Sequence, residues 1–274
     1  MRSIHQRTSE IRLATNVNSS CNGLLIKRLR SKVGEKDKRV KYWRVVVFLL
    51  PVQIVCVPSV GAFPPYKTTD ADTADSYTLE LRLGLIQLER EGGDIEYVSP
   101  LLRANVGFPH KIELITEFEY RPEEGQFGDG AVGFKWAPVQ GSLSFGIETL
   151  ALLPVRPDDD GIGVESQLLA TWRGPNHGLQ VHLNAGGFYD PRGSETENGW
   201  RASVLSELTE NSFRPGFELF AKQKSGQDAD VRFGAGVIKD VGKFEIRSAL
   251  HVGLTAEAPD VVFNIWFSTK LPIR

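Results

Sequence analysis

Two histidines have the first claim to chemistry. His182 and His251 fall at alternate positions of apolar–polar repeats, "LQVHLNAGGF" and "FEIRSALHVGL", beside other polar residues. An imidazole there can serve as a general base for a hydroxyl nucleophile, with Ser144, Ser166 or Ser203 as partner. None of these serines stands in a Gly-x-Ser-x-Gly turn, the setting that exposes a serine nucleophile. A histidine bonded to its polar neighbours is the simpler reading. "PDDDG" (157–161) gathers three carboxylates that could hold Ca²⁺, but the spacing is not that of an EF-hand loop; a solvated loop tip is the simpler reading. The expectation is a protein that is not an enzyme and needs no cofactor or metal.

A larger set of charges alternates with apolar residues. In "HKIELITEFEYR" (110–121), Ile112, Leu114, Thr116, Phe118 and Tyr120 oppose Lys111, Glu113, Glu117, Glu119 and Arg121, a row broken by Ile115. A period of two makes this a strand with one apolar and one charged face. The pattern recurs at Glu80, Arg82, Lys135, Arg201, Glu218, Arg232, Glu245 and Arg247. A soluble sandwich would turn these charges to solvent, whereas a membrane barrel would turn them into a wet lumen and the apolar face to lipid.

The elements that carry the charges favour the barrel. Twelve alternating segments can be read, at roughly 77–89, 94–107, 111–121, 130–137, 142–154, 163–173, 178–188, 199–208, 214–223, 230–239, 243–254 and 261–271. Most match the ~9–11 residues of a tilted membrane strand rather than the ~5–6 usual in soluble domains. Odd-numbered connections such as "VRPDDDGIG" and "YDPRGSETENG" are on the whole longer and more acidic than even-numbered ones such as "FPH" and "KDVGK", as in an up-and-down barrel. Aromatic residues gather near strand ends, among them Tyr77, Trp136, Trp172, Phe188, Tyr189, Trp200 and Phe213, as interfacial girdles would. The expected fold is all-β: an antiparallel up-and-down transmembrane barrel of about twelve strands over residues 77–274. Glu80, Arg82, Glu113, Glu117, Lys135, His182, Arg201, Glu218, Arg232, Glu245, Arg247 and His251 are expected to line its lumen.

Upstream the composition changes. The net charge of −2 conceals a division: residues 1–62 hold 12 Lys+Arg against 3 Asp+Glu, and the remainder holds 20 against 31. Arg39, Lys41 and Arg44 precede the apolar run "VVVFLLPVQIVCVPSVGA", the make-up of a secretory signal peptide over 39–62, cut after Ala62. The run is too short for the ~20 residues of a membrane span. Residues 1–38 are then an extension outside the mature protein. Cys21 and Cys56 both precede the cut, so the mature chain carries neither a disulfide nor a thiolate metal site. The basic start shows no aromatic interleaving, and no nucleic-acid partner is expected. Residues 63–76 form a periplasmic N-terminal segment or a plug. In the plug arrangement Asp70 and Asp72 would meet luminal Arg82, Arg201, Arg232 or Arg247, because charges inside a barrel need partners.

Two local motifs resemble a known family. "FPPYKTTDADTADSYTLELRLGL" places Thr69, Asp70, Ala71 and Asp72 where the MetA-pathway phenol-degradation family carries a Thr-Asp-Asp-Ala-like motif, with Ala71 and Asp72 transposed. "GDGAVGFKWAP" (128–138) is similar to that family's Gly-Asp…Gly-x-Lys strand at Gly128, Asp129, Gly133, Lys135 and Trp136. The resemblance implies an outer-membrane barrel that carries hydrophobic compounds. The expected function is a channel or transporter in the bacterial outer membrane, with lipid, the barrel-assembly machinery and small hydrophobic or aromatic solutes as partners. A barrel with a structural or surface-binding role, or a soluble periplasmic β-sandwich, would be the alternative. The chain ends "STKLPIR" without the terminal Phe common in such barrels, so assembly recognition would use Phe267 or another residue.

Overall fold

The computed structural model describes residues 64–273, save 92–93, 123–125, 156–159, 176–177, 194–195 and 210–211. The proposed leader, both cysteines and most of the 157–161 loop lie outside the described residues.

The described residues form thirteen strands: β1 (Thr78–Glu91), β2 (Asp94–Val98), β3 (Leu101–Phe108), β4 (Ile112–Arg121), β5 (Gln126–Val139), β6 (Leu143–Leu153), β7 (Gly163–Arg173), β8 (Leu179–Asp190), β9 (Glu197–Leu208), β10 (Phe213–Lys224), β11 (Ala229–Val241), β12 (Phe244–Gly253) and β13 (Val261–Pro272). Apart from β2 and β3, which both pair with β1, each pairs antiparallel with its chain neighbour, and β13 returns to β1 from Thr78↔Pro272 to Arg90↔Val261, closing the sheet. β2 and β3 are two halves of one barrel strand, since both pair with β1. The break falls at Ser99-Pro100, where proline has no N–H for the ladder. The ladder resumes across it through Ser99 N→Tyr120 O and Tyr120 N→Pro100 O, both 3.0 Å. The result is a closed antiparallel barrel of twelve strands, with no free edge. The segments expected at 94–107 and 130–137 differ in detail: the first is interrupted, and the second starts earlier, at Gln126.

The two faces are inverted relative to a soluble domain. Leu168 is 66% exposed and Phe217 59%, whereas Arg103, Arg247 and Glu218 are each 2% exposed or less. An apolar exterior around a charged interior is the arrangement of a lipid-embedded barrel. Ile115, the residue that broke the charged row, faces inward with Ala131, Leu150 and Leu152 as a small apolar patch on the lumen wall. Phe188 does not join a girdle as expected. It is buried in the lumen, because its neighbour Tyr189 takes the outward position and alternation leaves Phe188 the other. Both ends of the barrel chain, Thr78 and Pro272, stand at the rim of the short connections, where β3–β4 and β11–β12 turn.

Candidate functional site: an occupied lumen

The lumen holds the chain's own N-terminal segment. Residues 64–76 precede β1, have no regular secondary structure and run inside the barrel. Tyr66, Thr68, Thr69, Asp70 and Ala71 are each 4% exposed or less. At the short-turn rim the segment folds back against β3: Tyr77 N donates to Gly107 O at 2.8 Å. A Cβ on Gly107 would collide with the carbonyls of Ala74 and Asp75, so the bend requires glycine there.

A buried irregular segment must satisfy its backbone groups with something other than a ladder. Here wall side chains from seven strands do so. Ala74 N donates to Glu113 Oε2 at 2.5 Å, and Ala71 N to Thr171 Oγ1 at 2.8 Å. Thr69 N donates to Asn184 Oδ1 at 2.7 Å while Asn184 Nδ2 donates back to Thr69 O at 2.8 Å, as an adjacent strand would. Glu218 accepts from Lys67 N at 3.0 Å, Thr68 N at 2.5 Å and Thr68 Oγ1 at 2.6 Å. The carbonyls of Lys67, Pro65 and Pro64 accept from Arg201 (3.1 Å), Asn264 (3.1 Å) and Arg247 (2.8 Å).

Two acids complete the seat. Asp70 Oδ1 lies 3.4 Å from Lys135 Nζ, which also bonds Thr69 Oγ1 at 3.0 Å. Asp72 pairs with Arg173. Arg201 and Arg247 thus reach the segment through its carbonyls, while Lys135 and Arg173 take the carboxylates. Of the expected partners Arg82, Arg201, Arg232 and Arg247, Arg82 stands close enough to act on Asp70, and Lys135 and Arg173 join it because they stand on the strands the carboxylates face. Burial alone would raise the Asp70 carboxyl, but Lys135 and then His182 oppose it and hold the group down at about 2. Asp72 moves the other way, raised by burial and by the neighbouring Asp70 against the pull of Arg173.

Tyr66 anchors the inner end. Its ring packs on Leu205, Ile238 and Ala249. Gly216 and Gly236 make the room, since a Cβ on either would come within 2.6 Å and 2.9 Å of the ring or its hydroxyl.

The remaining charges pair across the wall. Glu80 is held by Arg82 at 2.8 Å and Lys270 at 2.9 Å. Arg103 binds Glu117 and, at 3.1 Å, Glu148. Arg201 pairs with Glu165, and Arg232 with Asp230 and, at 3.9 Å, Glu89. Glu245 joins Arg247 and, at 2.7 Å, Arg214. His251 Nε2 meets Glu218 at 2.6 Å and His182 Nδ1 meets Thr171 at 2.9 Å. Neither imidazole is bonded to Ser144, Ser166 or Ser203: Ser144 goes to Arg173 and Ser166 to Thr149. No group of three metal-ligating residues is assembled among the described residues. All twelve luminal candidates therefore point inward, and Glu113, Lys135, Glu218, Arg201 and Arg247 converge on the segment. Sequence reasoning missed Arg103, Glu148, Thr171, Arg173, Asn184 and Asn264. Arg103, Glu148 and Thr171 pair directly across from Arg82, Lys135 and His182, and Asn184 stands two residues from His182, so alternation could have found these four.

Between the inner end of the segment and the rim of the long connections a cavity of about 710 Å³ remains. Residues 64–67 form its floor, and the outer halves of the strands form its wall.

The chain matches no known family model, and no curated protein matches it in sequence. Solved structures do share its fold. The NanC porin superposes with a TM-score of 0.53 at 11% identity, over 70% of this chain and 100% of that one. A refined porin structure follows with a TM-score of 0.39 at 12% identity, over 69% of this chain and 72% of that one. A loop L8 deletion mutant of OmpT, an outer-membrane protein of Vibrio cholerae, has a TM-score of 0.36 at 8% identity, over 71% and 98%. At 11% identity the likeness to the NanC porin is one of fold: the chain is a porin-like closed antiparallel β-barrel.

Proposed function

We propose that the protein is a bacterial outer-membrane channel or transporter for small solutes, exported by a signal peptide cut after Ala62, with residues 64–76 acting as a plug. The observation that carries this reading is the inversion of faces: a closed barrel with lipid-compatible residues outside and a charge-lined cavity inside. A cargo with an apolar or aromatic body is favoured by the inward patch of Ile115, Ala131, Leu150 and Leu152, and by the resemblance of residues 69–72 and 128–138 to the phenol-degradation family. Charges of both signs are paired around the lumen, whereas strong selectivity needs a ring of one sign.

Reconstitution into a planar bilayer tests this. The expected result is discrete conductance steps with a reversal potential near zero in a KCl gradient. Stable insertion without any conductance would favour a structural or surface-binding barrel instead.

A further inference from the structure

We propose that the seat of the plug is also a binding site for a short peptide supplied in trans, which takes the place of residues 64–72. The inference rests on the reading of residues 64–76 as a plug and names a ligand that displaces it.

The wall recognises the segment chiefly by its main chain. Glu113, Thr171 and Glu218 accept from backbone amides, and Arg201 and Arg247 donate to backbone carbonyls. Asn184 does both at one residue. Its Oδ1 takes the Thr69 N–H at 2.7 Å, and its Nδ2 donates to the Thr69 carbonyl at 2.8 Å. Main-chain contacts of this kind are open to any peptide whose side chains fit. The side chains that the seat does specify are few: the Tyr66 ring, the Thr68 and Thr69 hydroxyls, and the carboxylates of Asp70 and Asp72.

At one position the plug is an imperfect ligand for its own seat. Asn264 on β13 is 4% exposed, and its Nδ2 donates to the Pro65 carbonyl at 3.1 Å. This is half of the pair of bonds that Asn184 makes with Thr69. A carbonyl needs a donor, so the nitrogen must face Pro65 and the orientation of the amide is fixed. Its Oδ1 is left buried with no donor among the described residues. At Thr69 the matching donor is the residue's own N–H, which a proline lacks. A buried acceptor without a donor is costly, and a peptide residue with an N–H at this position removes that cost. Gln167 repeats the situation: Nε2 is spent on Glu148 at 3.0 Å, and Oε1 is buried without a donor. Both amides line the cavity, beside Pro64 and Pro65. A peptide entering the cavity therefore meets the inner end of the plug first, where the wall offers acceptors for N–H groups.

Fluorescence anisotropy of labelled synthetic peptides, with the full chain folded in detergent, tests the site. The probe is the peptide of residues 64–72 carrying Pro65→Ala. One control keeps Pro65, and another carries N-methyl groups on Thr68 and Thr69. The Pro65→Ala peptide should bind about threefold or more tightly than the unchanged one, the worth of one hydrogen bond. N-methylation should weaken binding about tenfold or more, because it removes two amide donors. The attached plug competes at a high effective concentration, so the probe should bind more tightly to Asp70→Ala with Asp72→Ala than to the parent. In Asn264→Ala, which lacks the orphaned acceptor, the Pro65→Ala and unchanged peptides should bind alike. No binding of the probe to either protein, undiminished affinity after N-methylation, equal affinity for parent and double variant, or a preference for Pro65→Ala that persists in Asn264→Ala would each overturn the proposal. Because binding is read without conductance, a protein that conducts but takes no peptide removes this site alone. One that takes peptide but never conducts removes the transport reading alone.

Discussion

Glu218 ties the plug to the wall at several points. Its carboxylate accepts from two backbone amides and one hydroxyl of the plug and meets His251 on the opposite side. Charge-assisted hydrogen bonds of this kind contribute about 1.5–3 kcal/mol each, and a buried donor left without its acceptor costs further. Glu218→Ala should therefore loosen residues 67–69 while the β-ladders persist. Hydrogen–deuterium exchange would show it: amide exchange in the 64–70 region should quicken about tenfold or more, with that of β8 to β11 unchanged. Equal protection in variant and parent would mean that Glu218 does not hold the segment. At this scale the sequence was half legible. Glu218 stands on the polar side of its strand and could be placed in the lumen from alternation alone. That it would cap the amides of Lys67 and Thr68 was not readable. The partners are some 150 positions apart, and the segment they belong to has no periodicity to register it against the wall.

The strands were the most legible elements, because a period of two is enforced on every one of them by the difference between lipid and lumen. The misreadings have local causes. Pro100 interrupts a ladder that its apolar neighbours suggest is continuous. Phe188 and Tyr189 are adjacent aromatics, of which only one can face lipid. Outward positions near mid-strand should be intolerant of charge. Leu168 lies at the middle of β7 and is 66% exposed. Leu168→Arg should destabilise the barrel by ~2–4 kcal/mol, the depth-dependent cost of Arg on a lipid face. Leu168→Lys should act alike, and Leu168→Ala should cost far less. Equilibrium urea unfolding in lipid vesicles measures the difference. A near-neutral Leu168→Arg would mean that this face meets water.

At the scale of the whole molecule, closure of β1 on β13 leaves a lumen that the barrel wall alone does not fill. The chain fills its short-turn half with residues 64–76 and leaves the outer half as a cavity. This division could not be read from strand pattern, which specifies a closed sheet but not what lies within it. Only the excess of inward charge indicated that something must meet it. Passage through the protein then depends on how firmly the plug is seated, and its two carboxylates tie it to Lys135 and Arg173. The most direct measurement is single-channel conductance of the parent and of Asp70→Ala with Asp72→Ala in planar bilayers. The expected result is a larger conductance in the double variant, with heat-modifiable gel mobility retained to show an intact barrel. An unchanged conductance in an intact barrel would contradict a plug held by these charges.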